Sequence, residues 1–184
     1  SSSNPSYFPN ILHSTINNMM KDVKNVNKEF FLQSLPLKNG KKLKIFFVNH
    51  HLSHASYAYY TGPWEHTLVV VIDSIGEWET VSIWAGNAGK LKKLWSQNYP
   101  DSIGIWYSAM TQRIGLKPQE HEYILMGMAA IGDPNKYYND IKKDFIARMP
   151  DQSNPRVKFK RNCHRGCLDW RPDLRTPQDY ADIA

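Results

Sequence analysis

Residues 44–73 read KIFFVNHHLSHASYAYYTGPWEHTLVVVID. The apolar runs Lys44–Val48 and Leu68–Ile72 have the length and continuity of strands that are covered on both faces. Between them, His50–Tyr60 contains no glycine or proline before Gly62-Pro63, so this segment predicts about three helical turns. A strand that passes into a helix and then into a second strand indicates an α/β fold.

The rest of the chain extends this pattern. Val81–Trp84 and Leu91–Trp95, joined by a Gly-Asn-Ala-Gly turn, are expected to form an antiparallel meander with Leu68–Ile72. Helices are predicted for residues 5–26, 103–114, 122–130, 135–149 and from Thr176-Pro177 onward. Residues 30–42 are predicted to be a connecting loop because they contain Pro36, Asn39 and Gly40, and residues 157–160 to be a short strand. We expect one domain, with a mixed sheet and helices packed on it.

Composition narrows the class of protein. The chain has 184 residues, 41% of them hydrophobic, and a formal net charge of +6, which is enough apolar surface for a folded core. Its lysines are spread along strand ends and not gathered on one face, so we expect no nucleic-acid partner. No apolar run reaches the length of a membrane span, and the two cysteines are too few for a disulfide framework. We therefore expect a cytoplasmic protein without membrane contact.

The helix that follows the first strand carries a candidate metal site. His50 and His54 are four residues apart, so their rings emerge from the same helix face one turn apart. Asp73 directly follows a predicted strand, where an ionised carboxylate needs a cation or several hydrogen bonds. Two imidazoles and one carboxylate suit Fe(II), our first expectation, as well as Mn(II) or Zn(II). The alternatives are histidines without a ligand role, and an Asp73 that only opens a local turn.

The residues after Asp73 form a polar segment with one glycine. Ser74, Gly76 and Glu77 are therefore candidates for contacting a phosphate through backbone N–H groups and side chains. Glu122, near the start of a predicted helix, is a further candidate for a polar contact to substrate.

Three ordered motifs together resemble a known family. They are His50-His51-x-x-His54-Ala55, Ile72-Asp73-x-x-Gly76-Glu77-Trp78, and Glu122-Tyr123 followed by Met126-Gly127-Met128-Ala129. This set is similar to the O-carbamoyltransferases of nodulation-factor and antibiotic tailoring. The chain departs from the usual family pattern at Ser74, where glycine is usual, and at Ile124, where lysine is common.

The resemblance implies an actin-like ATPase fold, which is ribonuclease H-like and related to the tRNA threonylcarbamoyl-transferring enzymes. It implies that His50, His54 and Asp73 bind a metal. It also implies that ATP and carbamoyl phosphate are the substrates, which yield carbamoyladenylate in a C-terminal domain. Ser74, Gly76, Glu77 and Glu122 are then expected to contact that nucleotide. His51 is the candidate base for the hydroxyl of a small-molecule or sugar acceptor, its alternative being a structural imidazole bonded to a backbone carbonyl.

The resemblance also implies that residues 1–184 are part of the metal-binding, carbamoyl-transferring N-terminal domain. On this interpretation the first strands of the fold and the C-terminal domain are missing, so we expect the isolated chain to be inactive. A homodimer is left open.

Other interpretations of the same residues remain. The chain can be a non-catalytic binding or regulatory module that keeps an actin-like shell, or a metallohydrolase that uses His50, His54 and Asp73 alone. Cys163, His164 and Cys167 offer soft metal ligands, but no second cysteine pair completes a four-ligand zinc site. The alternative is that the two thiols are buried beside Trp170.

Overall fold

The computed structural model describes residues 30–184, so the helix predicted for residues 5–26 lies outside the described residues. The described chain divides into two units at Asn49 and His50. The first contains the antiparallel hairpin β1 (Phe30–Pro36) and β2 (Lys42–Val48). Its turn closes through Gly40, whose φ of 74° suits glycine.

Two predictions for this hairpin were wrong. Phe30–Pro36 was expected to lie in a loop but is a strand, because Pro36 stands at its end, where a missing N–H breaks no further ladder. The Lys44–Val48 run was expected to be covered on both faces, yet Phe46 is 65% exposed. A continuous apolar run therefore did not indicate two-sided burial here.

The second unit is built on a three-stranded sheet with helices and short segments around it. In chain order its helices and strands are α1 (His50–Thr61), β3 (His66–Gly76), β4 (Glu79–Asn87), β5 (Lys90–Asn98), α2 (Ile103–Arg113), α3 (Glu122–Ala129), α4 (Tyr138–Phe145), β6 (Ile146–Arg148), β7 (Lys158–Phe159) and α5 (Pro177–Ile183). A 3₁₀ turn occupies Cys163–Arg165. These elements make an α/β fold, as predicted.

The predicted antiparallel meander is confirmed, with the strand order β3-β4-β5. The turn between β4 and β5 uses Ala88 and Gly89, both with positive φ, as a tight hairpin requires. The mixed sheet was not found, because every strand pair in residues 30–184 is antiparallel.

The β3 strand is covered on one face only, which corrects the prediction of a fully buried strand. Val69 and Val71 are buried, whereas the alternating Leu68, Val70 and Ile72 are 65%, 55% and 56% exposed. Successive side chains of a strand point to opposite faces, so a single covering layer buries every second one. That layer is α1, which places Ala55 and Tyr59 in one core cluster with Val69, Val71 and Trp84.

A second and larger core surrounds α2. Met110, Leu125 and Phe145 are almost completely buried in it, together with Cys167 and Trp170. The predicted helix 135–149 is shorter than expected, because α4 ends at Phe145 and Ile146–Arg148 pairs with β7. The predicted start of α5 is confirmed, since Thr176 and Asp179 form a capping box.

Candidate metal centre

The β3 strand is irregular where it reaches Asp73. Regular pairing with β4 stops at Ile72 and resumes at Gly76, so Asp73 lies in a bulge. The prediction that Asp73 ends the strand was therefore wrong. Bulges redirect side chains out of the regular alternation. One carboxylate oxygen of Asp73, Oδ1, accepts the N–H of Ser74 at 2.6 Å, and Oδ2 is turned towards α1.

Both predicted histidine ligands meet Asp73 there. Asp73 Oδ2 lies 2.6 Å from His50 Nε2 and 3.9 Å from His54 Nε2, and the two Nε2 atoms are 3.0 Å apart. All three ligand atoms lie within 4.8 Å of one another, and no other group of this kind occurs among residues 30–184. The helical spacing therefore brought the two rings together, as the sequence indicated.

The donor set fits a divalent cation. A metal bound about 2.0–2.2 Å from each donor separates neighbouring ligand atoms by roughly 3 Å, close to the spacings of this group. The side chains of His50 and His54 are 42% and 57% exposed, and that of Asp73 is 29% exposed. Three ligands on one side of an accessible cation leave coordination positions for a substrate oxygen.

The start of α1 is fixed by Glu77. The backbone N–H of His50, its first residue, donates to both carboxylate oxygens of Glu77 at 3.3 and 3.2 Å. A carboxylate at a helix N-terminus satisfies a free donor and complements the helix dipole. Glu77 was predicted to contact a nucleotide, and that stays a prediction. Its contact here holds the histidine-bearing turn in place.

His51 points away from the other two histidines. Its side chain is completely buried, and its Nδ1 lies 2.7 Å from the hydroxyl of Ser82 on β4, which also accepts the indole N–H of Trp84. Burial lowers the pKa of His51 by more than the nearby carboxylates of Glu79 and Asp73 raise it. This setting resembles the structural alternative, with a serine hydroxyl as the partner. The base role stays a prediction.

Gly76 makes room for the histidine rings. A Cβ atom at this position would lie 2.6 Å from Cδ2 of His50 and 2.7 Å from Cδ2 of His51. Such distances are far inside van der Waals contact, so only glycine lets β3 pass this close to the start of α1. Gly76 was predicted to approach a phosphate, but its close neighbours in the structure are these two rings.

The first turn of α2 supports Asp73 from the other side. Ser102, its N-cap, donates to the carbonyl oxygens of Asp73 and Ser74 at 3.1 and 2.7 Å and accepts the N–H of Ile105. A Cβ on Gly104 would lie 2.7 Å from the backbone of Asp73 and Ser74. Sequence reasoning missed both supports, although a serine before an apolar helical run is an N-cap signal.

Glu122 lies at the start of α3 and binds α2. One oxygen of its carboxylate accepts the hydroxyl of Ser108 at 2.5 Å and the N–H of Gln119 at 2.6 Å. Burial raises its pKa, but these hydrogen bonds outweigh that effect and leave the pKa below its ordinary value. The contact of Glu122 with a nucleotide stays a prediction. The bonds to Ser108 and Gln119 join α2 to the loop before α3.

The cysteines do not form part of a metal site. Cys163 and Cys167 are buried in one core cluster with Trp170, as the alternative interpretation predicted. Burial raises the pKa of the two thiols to about 11 and about 12. Neither thiol belongs to a group of converging metal ligands within residues 30–184.

The fold and the site together define an α/β protein with two histidines and one aspartate arranged around a candidate metal position. The family model for the N-terminus of carbamoyltransferases matches residues 4–176, and the chain belongs to that family.

Relatives in bacteria carry the same similarity over shorter stretches. The chain is 38% identical over 112 residues, 57% of its length, to the protein sll1178 of Synechocystis. It is 34% identical over 91 residues to nodulation protein NolNO of Sinorhizobium fredii and 31% identical over 90 residues to nodulation protein NolO of Bradyrhizobium diazoefficiens, in each case about half of this chain. The matched stretches span only 18%, 13% and 16% of those relatives.

No helix within residues 30–184 is long and apolar enough to cross a membrane.

Proposed function

We propose that this protein takes part in the transfer of a carbamoyl group to a hydroxyl of a small-molecule or sugar acceptor, with a divalent metal held by His50, His54 and Asp73. Membership in the carbamoyltransferase N-terminus family supports the group that is transferred. The observation that carries the metal is the convergence of three ligand atoms within 4.8 Å at an accessible position.

The donor in this proposal is carbamoyladenylate, made from ATP and carbamoyl phosphate. The acceptor oxygen forms a bond to the carbamoyl carbon, the bond from that carbon to the phosphate oxygen breaks, and AMP leaves. The hydroxyl proton passes to a base or to water. The metal, Fe(II) in our first expectation, would neutralise charge on the adenylate phosphate and orient it. We expect the surrounding fold to be part of an actin-like ATPase domain.

The residues of this chain contribute mainly by positioning. Glu77 accepts the backbone N–H of His50 and Gly76 leaves room for its ring, so the first turn of α1 lies close to β3 and Asp73. Ser102 and Gly104 hold the backbone of Asp73 from the opposite side. Pre-organised ligands of this kind bind a cation with less loss of conformational freedom.

The test measures metal and carbamoyl transfer together. The purified protein is analysed for bound Fe, Mn and Zn, beside a His50→Ala/His54→Ala variant and a His66→Ala control, which removes an exposed histidine outside the site. We expect up to one equivalent of metal in the parent and control, and a clear loss in the double variant. Equal metal content in all three proteins would overturn the metal centre.

The second readout follows label from carbamoyl phosphate into hydroxyl compounds in the presence of ATP, with the full natural protein. We expect label in an acceptor with the parent and a loss in the double variant. Metal binding without transfer to any of a broad panel of hydroxyl compounds would count against the carbamoyl proposal while leaving the metal centre intact.

A further inference from the structure

A cleft of about 440 Å³ is lined in part by residues that directly follow Asp73 in the chain. One end of it is formed by Ser74 and Ile75, and Ser74 directly follows the metal-facing Asp73 in the chain, a step of about 3.8 Å between Cα atoms. A volume of this size suits a ligand such as a sugar or a nucleoside. We call this feature the Ser74 cleft.

One face of α2 forms a wall of the Ser74 cleft. The residues that line it are Ile105, Ser108, Ala109 and Gln112. Their spacing of three, four and seven residues is that of one helical stripe. Ser102 and Gly104 hold the start of the same helix against the backbone of Asp73 and Ser74, so this wall is fixed relative to the backbone of Asp73.

The Cys163–Gly166 turn also lines the Ser74 cleft. Cys167 Sγ contacts the carbonyl oxygen of Ala109 at 3.2 Å, so the turn is fastened to α2 through a buried thiol. Gly166 has a φ of 77° and passes against Gln112 so closely that a Cβ would lie 2.2 Å from its amide oxygen.

The Ser74 cleft is lined by one cationic side chain, that of Arg165, and by serine, glutamine and histidine side chains that can both donate and accept hydrogen bonds. Among the described residues, the side chains of Ser74, Gln112, Gln119 and Arg165 have no hydrogen-bond or ion-pair partner within the protein. Arg165 alone offers five N–H donors and a fixed positive charge. Glu122 does not itself line the cleft. One oxygen of its carboxylate accepts hydrogen bonds from two cleft residues, Ser108 and Gln119.

Such a lining favours a ligand rich in acceptor oxygens. The cleft residues include one arginine, two glutamines and no carboxylate. The charge of Arg165 opposes a polycationic acceptor, whereas a phosphate or carboxylate matches the fork of a guanidinium. Hydroxyl oxygens of the same ligand can pair with the two amides and Ser74.

We propose that the Ser74 cleft binds the acceptor, and that this acceptor is a hydroxyl compound carrying an oxyanion that pairs with Arg165. The inference rests on the proposed carbamoyl transfer and adds the substrate class. The acceptor then lies along α2, with a hydroxyl at the Ser74 end beside the metal centre and its anionic group at the Arg165 end.

The test compares sugars that differ in charge. Binding of glucose 6-phosphate and glucuronate is measured by calorimetry beside glucose, glucosamine, inorganic phosphate and AMP, with the parent protein, Arg165→Gln and the control Arg156→Gln. Arg156 is an exposed arginine outside the cleft. We expect the anionic sugars to bind about tenfold more tightly than glucose, and Arg165→Gln alone to remove that preference.

Several outcomes would overturn the assignment. Equal binding of charged and uncharged sugars, or tighter binding of glucosamine, would contradict an anionic acceptor. AMP that displaces the sugar phosphates and depends more strongly on Arg165 would assign the cleft to the donor phosphate. If only the acceptor assignment fails, the parent protein and Arg165→Gln both still bind metal. Loss of the metal centre is measured separately, so the two failures can be told apart.

Discussion

The two faces of α1 place identical side chains in opposite environments. His50 and His54 lie on an accessible face with their Nε2 atoms directed at one another and at Asp73, whereas His51 is completely buried against Ser82. Because a helix turns about 100° per residue, neighbours in the chain need not share a face. The open face is therefore suited to a ligand, and the buried face fixes the helix on the sheet.

The largest effect should follow from removing the carboxylate of Asp73, which approaches the open face of α1 from β3. We expect Asp73→Asn to weaken binding of Fe(II), Mn(II) or Zn(II) by about 100-fold or more, since loss of groups that merely orient ligands already costs 10–100-fold. Titration of metal-free protein measures this change. Asp173→Asn, in an exposed pair with Arg171, is the control. An unchanged affinity of Asp73→Asn for the metal would show that the open face of α1 is not part of a metal site.

The buried face should respond in stability. We expect His51→Ala to lower the free energy of unfolding by about 2–4 kcal/mol, because it opens a cavity and leaves buried polar groups without a partner. His54→Ala, at an accessible position, should change it by less than about 1 kcal/mol in metal-free protein. Urea unfolding gives both values.

The same variant distinguishes the two interpretations of His51. A base role requires that His51→Ala abolish carbamoyl transfer by the protein that remains folded. A loss of transfer that merely follows the loss of folded protein would favour the structural role.

Gly76 on β3 lies against His50 from the open face of α1 and against His51 from its buried face. A change at Gly76 should therefore affect both metal binding and stability. We expect Gly76→Ala to cost about 1–3 kcal/mol of stability and to weaken metal binding, because the new methyl group displaces the rings of His50 and His51. Gly127→Ala is the matched control, since a Cβ added there would meet nothing within 4 Å and alanine favours a helix. Equal behaviour of the two variants would show that the rings tolerate displacement.

The two thiols are buried, as His51 is, and we expect burial to suppress their reactivity. With pKa values raised to about 11 and about 12, Cys163 and Cys167 hold a thiolate fraction of roughly one in a thousand or less at pH 8. We expect negligible reaction with a thiol reagent in the folded protein and full reaction of both thiols in urea. Fast labelling of the folded protein would contradict their burial.

Local sequence signals predicted that His50, His54 and Asp73 lie together, and their role as metal ligands stays a prediction. The spacing of His50 and His54 fixes their shared face on a helix, and an aspartate after an apolar run marks the neighbouring strand. The strand meander and the start of α5 were also predictable, because turn glycines and capping residues act over a few positions. Family resemblance supplied the carbamoyl chemistry, which spacing alone does not contain.

Long-range contacts were beyond that reasoning. The burial of His51 depends on Ser82, which is 31 residues away, and the support of Asp73 depends on Ser102 and Gly104. The exposure of one face of β3 was also missed, because the residues of Leu68–Ile72 are apolar on both faces of the strand. In the structure, α1 packs against only one of these faces. Tertiary contacts decided each of these points.

The capping box at the start of α5 has a consequence in acid. Hydrogen bonds from the hydroxyl and N–H of Thr176, and then from the Tyr137 hydroxyl, hold the pKa of Asp179 below its ordinary value of 3.8. A carboxyl whose folded-state pKa is lowered stabilises the fold above its unfolded pKa, and this contribution is lost as the pH falls further. Protonation therefore loosens the attachment of α5 to Tyr137, and we expect the protection of the α5 amide protons against exchange, relative to the unfolded chain, to fall below about pH 4, an effect that Asp179→Asn should reproduce at neutral pH.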